Sequence, residues 1–239
     1  MKIKKYIPDF ITSLNLVCGV LGVVAVFEGC IDLAFPLMLA AGVFDFCDGL
    51  AARALGAYSD LGKELDSLSD LVSFGVLPAV MLYATMRACT WSASPLCLVP
   101  LLIAVFSGIR LAKFNVDPRQ HASFLGLPTP ACAILCASLS YYIAFEPASF
   151  LAQWAGGMVF IPALSVVLCA LLVCEIPMFS LKFSRDDSAT LKFKRIFLAV
   201  LCLAAVLVVV LCGLNWSLIA FLVFALYIVK NVIYWIFKV

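Results

Sequence analysis

Four aspartates interrupt an otherwise apolar part of the chain, and their spacing is suited to binding metal ions. Asp45 and Asp48 are three residues apart, and Asp66 and Asp70 are four residues apart. Because a helix advances about 100° per residue, each pair projects from one face of its helix. Carboxylate ligands favour hard divalent cations, and four of them suffice for two magnesium or manganese ions that share ligands.

Two small residues share the face of the first aspartate pair. Gly49 and Ala52 lie within about 40° of Asp45 on the same helix, so a bulky ligand can approach the backbone there. The turn between the two aspartate pairs contains Gly56 and Gly62. The sequence therefore predicts a metal site that also accommodates a large ligand.

The alternative role for these aspartates is ordinary ion pairing at a membrane interface, with Arg53 and Lys63 as partners. The two cations, Arg53 and Lys63, are outnumbered by the carboxylates of this segment, which include Asp60 in addition to the four aspartates. Unneutralised carboxylates repel one another and are costly near a bilayer. Divalent cations resolve that conflict, so metal binding is the favoured interpretation.

The composition indicates an integral membrane protein. Hydrophobic residues make up 65% of the 239-residue chain and charged residues 13%, against roughly 25% charged in soluble domains. The net charge of +2 gives no reason to expect nucleic-acid binding. We expect one membrane-embedded domain over residues 1–239, surrounded by the lipid bilayer.

Apolar runs bounded by charges and turn formers predict an all-α, polytopic helical bundle with about eight transmembrane helices. The segment after the basic amino-terminal residues is interpreted as the first span rather than as a signal peptide, since no A-x-A-like site follows it. The eight predicted helices cover residues 11–28, 33–52, 66–86, 95–112, 129–146, 157–175, 195–213 and 215–237.

The basic residues predict the orientation of this bundle. In an eight-span arrangement every lysine and arginine except Arg87 falls on one side of the membrane. Positive residues are enriched on the cytoplasmic side, so both termini are expected there. The protein is expected in the inner (cytoplasmic) membrane, with the aspartate segment at the cytoplasmic face.

Cysteine and histidine do not suggest a second metal centre. The eleven cysteines lie mostly inside apolar runs, where they are interpreted as packing residues. The single histidine, His121, has no partner at ligand spacing, and no C-x-x-C pair occurs. Zinc and iron–sulfur sites are therefore not predicted.

The aspartate segment carries a recognisable pattern: D-x-x-D-G-x-x-A-R, eight residues, then G-x-x-x-D-x-x-x-D. This pattern resembles the signature of the CDP-alcohol phosphotransferases. The resemblance implies an enzyme that displaces CMP from a CDP-linked lipid, here CDP-diacylglycerol, by means of an alcohol. It also implies a homodimer.

The resemblance implies roles for individual residues. Asp45, Asp48, Asp66 and Asp70 would bind the two cations, and Asp70 would also take the proton of the alcohol. The residues implied to contact the CDP-lipid are Thr12, Asn15, Gly49, Ala52, Arg53 and Ser59. Asp9 stands where the family leads us to expect asparagine, so it is not included.

The acceptor alcohol is inferred from the flanking sequence. The stretches Glu64–Ala79 and Arg110–Ala131 resemble those of family members that use L-serine, which would give phosphatidylserine and CMP. A pocket for serine needs a cation for the carboxylate. The candidates in the next predicted cytoplasmic loop are Arg110, Lys113, Asn115 and Arg119.

Two alternatives remain open. Basic residues after a span usually serve topology, and phosphorylated acceptors also require cations, so a phosphatidylglycerol phosphate or phosphatidylinositol phosphate synthase of the same family fits the motif. A divalent-cation transporter is the alternative from another class, since carboxylates inside membranes also mark ion pathways. It would require polar groups that continue across the membrane.

Overall fold

The structure is a computed structural model that describes residues 6–90, 94–117, 124–178 and 215–237. The described chain is helical apart from two strands of two residues each, β1 and β2, which pair antiparallel. The elements in chain order are α1 (Ile7–Phe27), α2 (Ile31–Leu55), α3 (Asp60–Asp70), a π-helical turn (Leu71–Val76), α4 (Leu77–Thr90), a 3-10 segment (Pro95–Leu101), α5 (Leu102–Val116), β1 (Phe124–Leu125), α6 (Thr129–Phe145), α7 (Phe150–Gly156), α8 (Phe160–Val173), β2 (Pro177–Met178) and α9 (Trp216–Phe237).

Within the described ranges, five helical stretches are long and apolar enough to cross a membrane, and a bent pair brings the number to six. The bent pair is α6 and α7, whose axes differ by 102°. The prediction of a polytopic helical membrane protein is confirmed to this extent. Helix α8 has 14 residues, fewer than the roughly 20 that a straight span needs. The predicted helix 195–213 lies outside the described residues, so eight spans and cytoplasmic termini stay predictions.

Local sequence signals explain where the helices next to the aspartates begin and end. Helix α2 ends at Gly56, which has φ of 58°, a left-handed conformation that glycine adopts at little cost. Ser59 then caps α3, because its hydroxyl accepts a hydrogen bond from the Gly62 N–H at 2.9 Å. The short connection keeps the end of α2 next to the start of α3.

Small residues on α1 allow the helix after the aspartates to approach closely. A Cβ at Gly19 would overlap Ser73, and a Cβ at Gly22 would lie 2.5 Å from a methyl group of Leu77. Glycines at such positions let membrane helices pack backbone against backbone. Helix α1 therefore lies along the whole stretch from α3 to α4.

The buried apolar residues form two clusters. One cluster lies among α1, α2, α4 and α6 and includes Phe35, Met38 and Leu77. The other lies among α4, α5, α6, α8 and α9 and includes Leu139 and Leu168. Helix α6 contributes to both clusters, so it joins the aspartate-bearing helices to the carboxyl-terminal part of the bundle.

Candidate metal and nucleotide site

Helix α1 holds α3 through two serine hydroxyls. Ser69 donates to the Thr12 carbonyl at 3.3 Å, and Ser73 donates to the Asn15 carbonyl at 3.1 Å. Ser73 lies in the π-helical turn that follows Asp70 directly. Turns of this kind often occur at functional sites, where they change the direction of a helical face. These contacts fix the rotation of α3 against α1.

The aspartates of α2 and α3 converge on one site. Ligand oxygens of Asp45, Asp48 and Asp66 all lie within 4.8 Å of one another. The Asp45 carboxyl is also within hydrogen-bonding reach of the carboxyls of Asp66 and Asp70. The helical spacing predicted two pairs, and the structure brings the two pairs together.

Two polar side chains of α1 reach into this cluster. The Thr12 hydroxyl donates to Asp48 Oδ2 at 2.6 Å, and the Asn15 amide donates to Asp70 Oδ1 at 3.3 Å. Both α1 residues are buried. Each fixes the orientation of one carboxyl group, so α1 is part of the site as well as a packing element.

The donor set fits divalent cations. Asp66 Oδ1 and Asn15 Oδ1 are buried oxygens without a hydrogen-bond donor. A buried acceptor without a partner is costly, and a cation held by the cluster would satisfy the Asp66 oxygen. The four carboxylates provide only oxygen ligands, which suit magnesium or manganese.

The cations expected in the alternative interpretation are engaged elsewhere. Arg53 Nε donates to the Gly49 carbonyl at 2.9 Å, and Lys63 Nζ donates to the Asn115 carbonyl at 3.3 Å. Within the described ranges no ion pair joins either residue to the four aspartates. Interfacial ion pairing therefore does not account for the cluster.

A cavity of ≈ 220 Å³ opens beside the cluster. It runs from the carboxylates to the turn between α2 and α3. Four of the residues implied to bind the CDP-lipid line it, namely Thr12, Gly49, Ala52 and Ser59. Asn15 instead contacts Asp70, and the exposed Arg53 is held on its own helix, so neither forms part of the described lining.

The lining also includes three residues with polar or charged side chains that sequence reasoning did not assign to a ligand: Asp9, Tyr58 and Lys63. Asp9 was left out of the predicted ligand contacts because an aspartate at this position departs from the family pattern. Its position three residues before Thr12 was the signal in the sequence that favoured a place in the cavity. On a helix this spacing brings both side chains to the same face.

Helix α5 carries a buried cation. Arg110 of α5 is 6% exposed, and its Nη1 donates to the Thr129 hydroxyl of α6 at 3.5 Å. Its Nε and Nη2 are buried without an acceptor. The side chains of Cys132, Cys174 and Tyr227 lie close enough to interact electrostatically with its guanidinium. The last of these belongs to α9.

The other residues expected near serine are dispersed. Lys113 is exposed, whereas the Asn115 amide donates to the Ser67 hydroxyl of α3 at 2.8 Å. Arg119 lies outside the described residues. Of the three candidates that the structure describes, Arg110 is the buried one that leaves hydrogen-bond donors unpartnered.

Comparison with known proteins identifies a family. The family model described as CDP-alcohol phosphatidyltransferase matches residues 5–185. This range contains α1 to α8 and therefore the aspartate cluster, the cavity and Arg110. Helix α9 lies beyond it.

Several curated relatives carry the same kind of name. The CDP-diacylglycerol–serine O-phosphatidyltransferase of Bacillus subtilis (strain 168) is 36% identical over 136 residues, which cover 57% of this chain and 76% of that protein. The protein of that name in Methanocaldococcus jannaschii is 39% identical over 130 residues, covering 54% of this chain and 57% of the relative. The archaetidylserine synthase of Methanothermobacter thermautotrophicus is 37% identical over 134 residues, covering 55% and 56%. The chain thus spans a little over half the length of these two archaeal relatives.

Proposed function

The chain belongs to the CDP-alcohol phosphatidyltransferase family, and we propose that it transfers the phosphatidyl group of CDP-diacylglycerol to the hydroxyl of L-serine. The products are phosphatidylserine and CMP. The names of the relatives support serine as the acceptor. The reaction is proposed to occur at the cytoplasmic face of the inner membrane, where soluble serine and a membrane-held lipid can meet.

The observation that carries the proposal is the convergence of carboxylates beside a cavity. Ligand oxygens of Asp45, Asp48 and Asp66 lie within 4.8 Å of one another, and Asp48 and Asp66 also line the cavity. A site of this kind suits a diphosphate, which is anionic and therefore needs cations between itself and the carboxylates. The adjoining cavity would receive the nucleoside.

Asp45, Asp48, Asp66 and Asp70 would hold two divalent cations, magnesium or manganese. When bound, these ions neutralise the diphosphate and stabilise the charge that develops on the leaving CMP. The chain itself provides orientation. Thr12 and Asn15 hold two of the carboxyls in place, while Gly49 and Ala52 leave room for the ligand beside them.

Asp70 is proposed as the general base. In the reaction the serine oxygen forms a bond to the phosphorus that carries diacylglycerol, the bond from that phosphorus to the CMP oxygen breaks, and the serine proton passes to the Asp70 carboxylate. The Asn15 amide, which donates to Asp70 Oδ1, keeps the other carboxylate oxygen oriented for the proton. No covalent enzyme intermediate is required.

Arg110 is proposed to bind the serine carboxylate. Nε–H and Nη2–H form one edge of a guanidinium group, and this edge is the fork that binds a carboxylate with two parallel hydrogen bonds. In this protein Nη1 is turned to Thr129, and the fork is the unpartnered edge. A carboxylate would satisfy both donors at once. Lysine could not do this.

The transporter alternative requires a polar path through the bundle. Away from the cluster, the buried hydroxyls of Thr85, Ser138 and Ser165 each donate to a carbonyl of their own helix. These three hydroxyls are already satisfied and are not available as ion ligands, whereas the buried hydroxyls of Ser107 and Ser140 have no partner among the described residues. The phosphorylated acceptors remain the closer alternative.

The experiment that tests the proposed enzyme is a time course of CMP release by the purified full-length chain in detergent with CDP-diacylglycerol and magnesium. We expect release that depends on added L-serine, with one phosphatidylserine formed per CMP. Asp70→Asn, which keeps the size of the side chain, should remove this activity. Release of CMP at the same rate by the variant, or without any phospholipid product, would contradict the proposal.

A further inference from the structure

The proposed function leaves one lining residue of the cavity without a role. We propose that Asp9 binds the ribose hydroxyls of the cytidine in the donor lipid. The inference rests on the proposed function, because it requires that the cavity receive a CDP group. It assigns a nucleotide contact to a residue that departs from the family pattern.

The position of Asp9 follows from two helices. On α1, Asp9 lies about one turn closer to the amino terminus than Thr12, which donates to Asp48. On α3, Gly62 lies about one turn before Asp66. Asp9 and Gly62 both line the cavity. Each lies about one helical turn away from the residue of its helix that belongs to or contacts the carboxylate cluster.

Gly62 brings the Asp9 carboxylate into the cavity wall. A Cβ added at Gly62 would lie 2.8 Å from Asp9 Oδ1 and 2.9 Å from the Ser59 hydroxyl. Any side chain at this position would displace one of these oxygens. The absence of a side chain at Gly62 thus keeps a carboxylate and a hydroxyl together beside the space for the ligand.

The direction of the bound nucleotide selects the ribose. The diacylglycerol end must stay in the bilayer, so the cytidine extends from the diphosphate toward the other end of the cavity. The ribose is the part of cytidine joined directly to the phosphate, and Asp9 lies about one turn from Thr12, whose hydroxyl donates to the cluster carboxyl of Asp48. A carboxylate accepts hydrogen bonds from two adjacent hydroxyls, as acidic residues do in nucleotide sites of other folds.

The Asp9 carboxylate is available for this contact. Among the described residues it accepts no hydrogen bond, since Ser13 donates to the backbone carbonyl of Asp9 instead, at 2.8 Å. Lys63, which lines the same cavity, donates to the Asn115 carbonyl. The competing explanation is that Asp9 only stabilises the first turn of α1 through the helix dipole. That role would not depend on the hydroxyls of a nucleotide.

The test is binding of CMP, 2′-deoxy-CMP, 3′-deoxy-CMP and UMP to the purified full-length chain with manganese, measured by equilibrium dialysis. The wild type should bind CMP about tenfold more tightly than either deoxy analogue, because each lacks a hydrogen bond to a charged acceptor. In Asp9→Ala this preference should fall to about twofold or less. Asp32→Asn, which removes an exposed carboxylate at the start of α2, should keep the preference of the wild type.

If Asp9→Ala does not remain monodisperse, Asp9→Asn can replace it, because asparagine preserves the shape of the side chain. Its preference for CMP over the deoxy analogues should lie between those of the wild type and Asp9→Ala. The inference is overturned if the wild type binds all three cytidine nucleotides equally, or if Asp9→Ala retains the full preference. It is also overturned if the substitution changes only the preference for CMP over UMP, since the carboxylate would then contact the base. If the cavity did not receive a CDP group at all, the result would look different, because the wild type would then bind none of the nucleotides. A different acceptor alcohol would leave this binding test unchanged and would be detected by the acceptor assay instead.

Discussion

The aspartate cluster and the Arg110 region both place charged side chains in the interior of the bundle, but they differ in what is missing. Among the described residues, oxygens in the cluster lack hydrogen-bond donors, whereas the guanidinium of Arg110 lacks acceptors on one edge. In the cluster, carboxylates of α2 and α3 face one another, and buried oxygens of Asp66 and Asn15 lack donors. In the other region, a guanidinium between α5 and α6 lacks acceptors on its fork. Unpaired charge inside a membrane protein is costly and usually marks function.

The difference between the two regions indicates what each one binds. Carboxylates in a group require cations, and several oxygens around one point can be shared between two ions. A single fork requires one planar anion of matching size. The first region therefore suits metal ions with a diphosphate, and the second suits a carboxylate. These are the two ends of the proposed reaction, the donor lipid and serine.

The first prediction concerns removal of the divalent cations that the aspartate cluster is proposed to bind. Chelation with excess EDTA should reduce CMP release to the level without enzyme, and added magnesium or manganese should restore it, because the diphosphate would otherwise face four carboxylates. The measurement is the rate of CMP release before and after metal addition. Activity that survives exhaustive chelation would separate the cluster from the chemistry.

The second prediction concerns the base. Asp70→Ala should lower kcat by about 1000-fold, which is the size of effect expected from losing a positioned general base. Asp60→Asn, an exposed carboxyl in the first turn of the same helix, is the matched control and should be close to wild type. A kcat for Asp70→Ala within tenfold of wild type would assign the proton transfer to another group.

The third prediction tests the support that α1 gives to the cluster. Thr12→Val keeps the volume of the side chain but removes the 2.6 Å hydrogen bond to Asp48. Groups that orient metal ligands typically contribute about 10- to 100-fold in metal affinity. The magnesium concentration needed for half-maximal activity should rise by about that factor. An unchanged requirement would show that Asp48 is oriented without Thr12.

The fourth prediction concerns the Arg110 region. Arg110→Lys keeps the charge but not the fork, so KM for serine should rise about tenfold while KM for CDP-diacylglycerol stays the same. The preference for serine over ethanolamine, which lacks the carboxylate, should fall by a similar factor. Thr129→Val leaves the fork intact and should have a smaller effect on both quantities. Equal changes in KM for both substrates would indicate a structural role for Arg110.

The pairing of the aspartates could be predicted from the sequence because it depends only on residues close together in the chain. Spacings of three and four residues on helices determine which side chains share a face. The contributions of α1 were harder to derive, since the bonds from Thr12 to Asp48 and from Asn15 to Asp70 join residues far apart in the chain. The family resemblance named both residues as contacts of the CDP-lipid, and Thr12 does line the cavity, but it did not predict their hydrogen bonds to the carboxyls.

Other features depend on tertiary packing and left no periodic signal. Helix α7 has seven residues, too few for a hydrophobic pattern, and its bend of 102° against α6 was not predicted. The hydrogen bond from Arg53 Nε to the Gly49 carbonyl one turn away was also not predicted, and the contact of Arg53 with the CDP group stays a prediction. The proximity of Tyr227 to Arg110 likewise follows from the packing of α9, which lies outside the family match.

The central claim is that this chain joins a phosphatidyl group to serine, and competition among acceptors tests it most directly. The purified chain would be given CDP-diacylglycerol and magnesium with equal concentrations of L-serine, ethanolamine, glycerol 3-phosphate and inositol phosphate, and the lipid products would be identified by mass spectrometry. The account predicts phosphatidylserine as the dominant product, formed in step with CMP. A product formed only from a phosphorylated acceptor would contradict it.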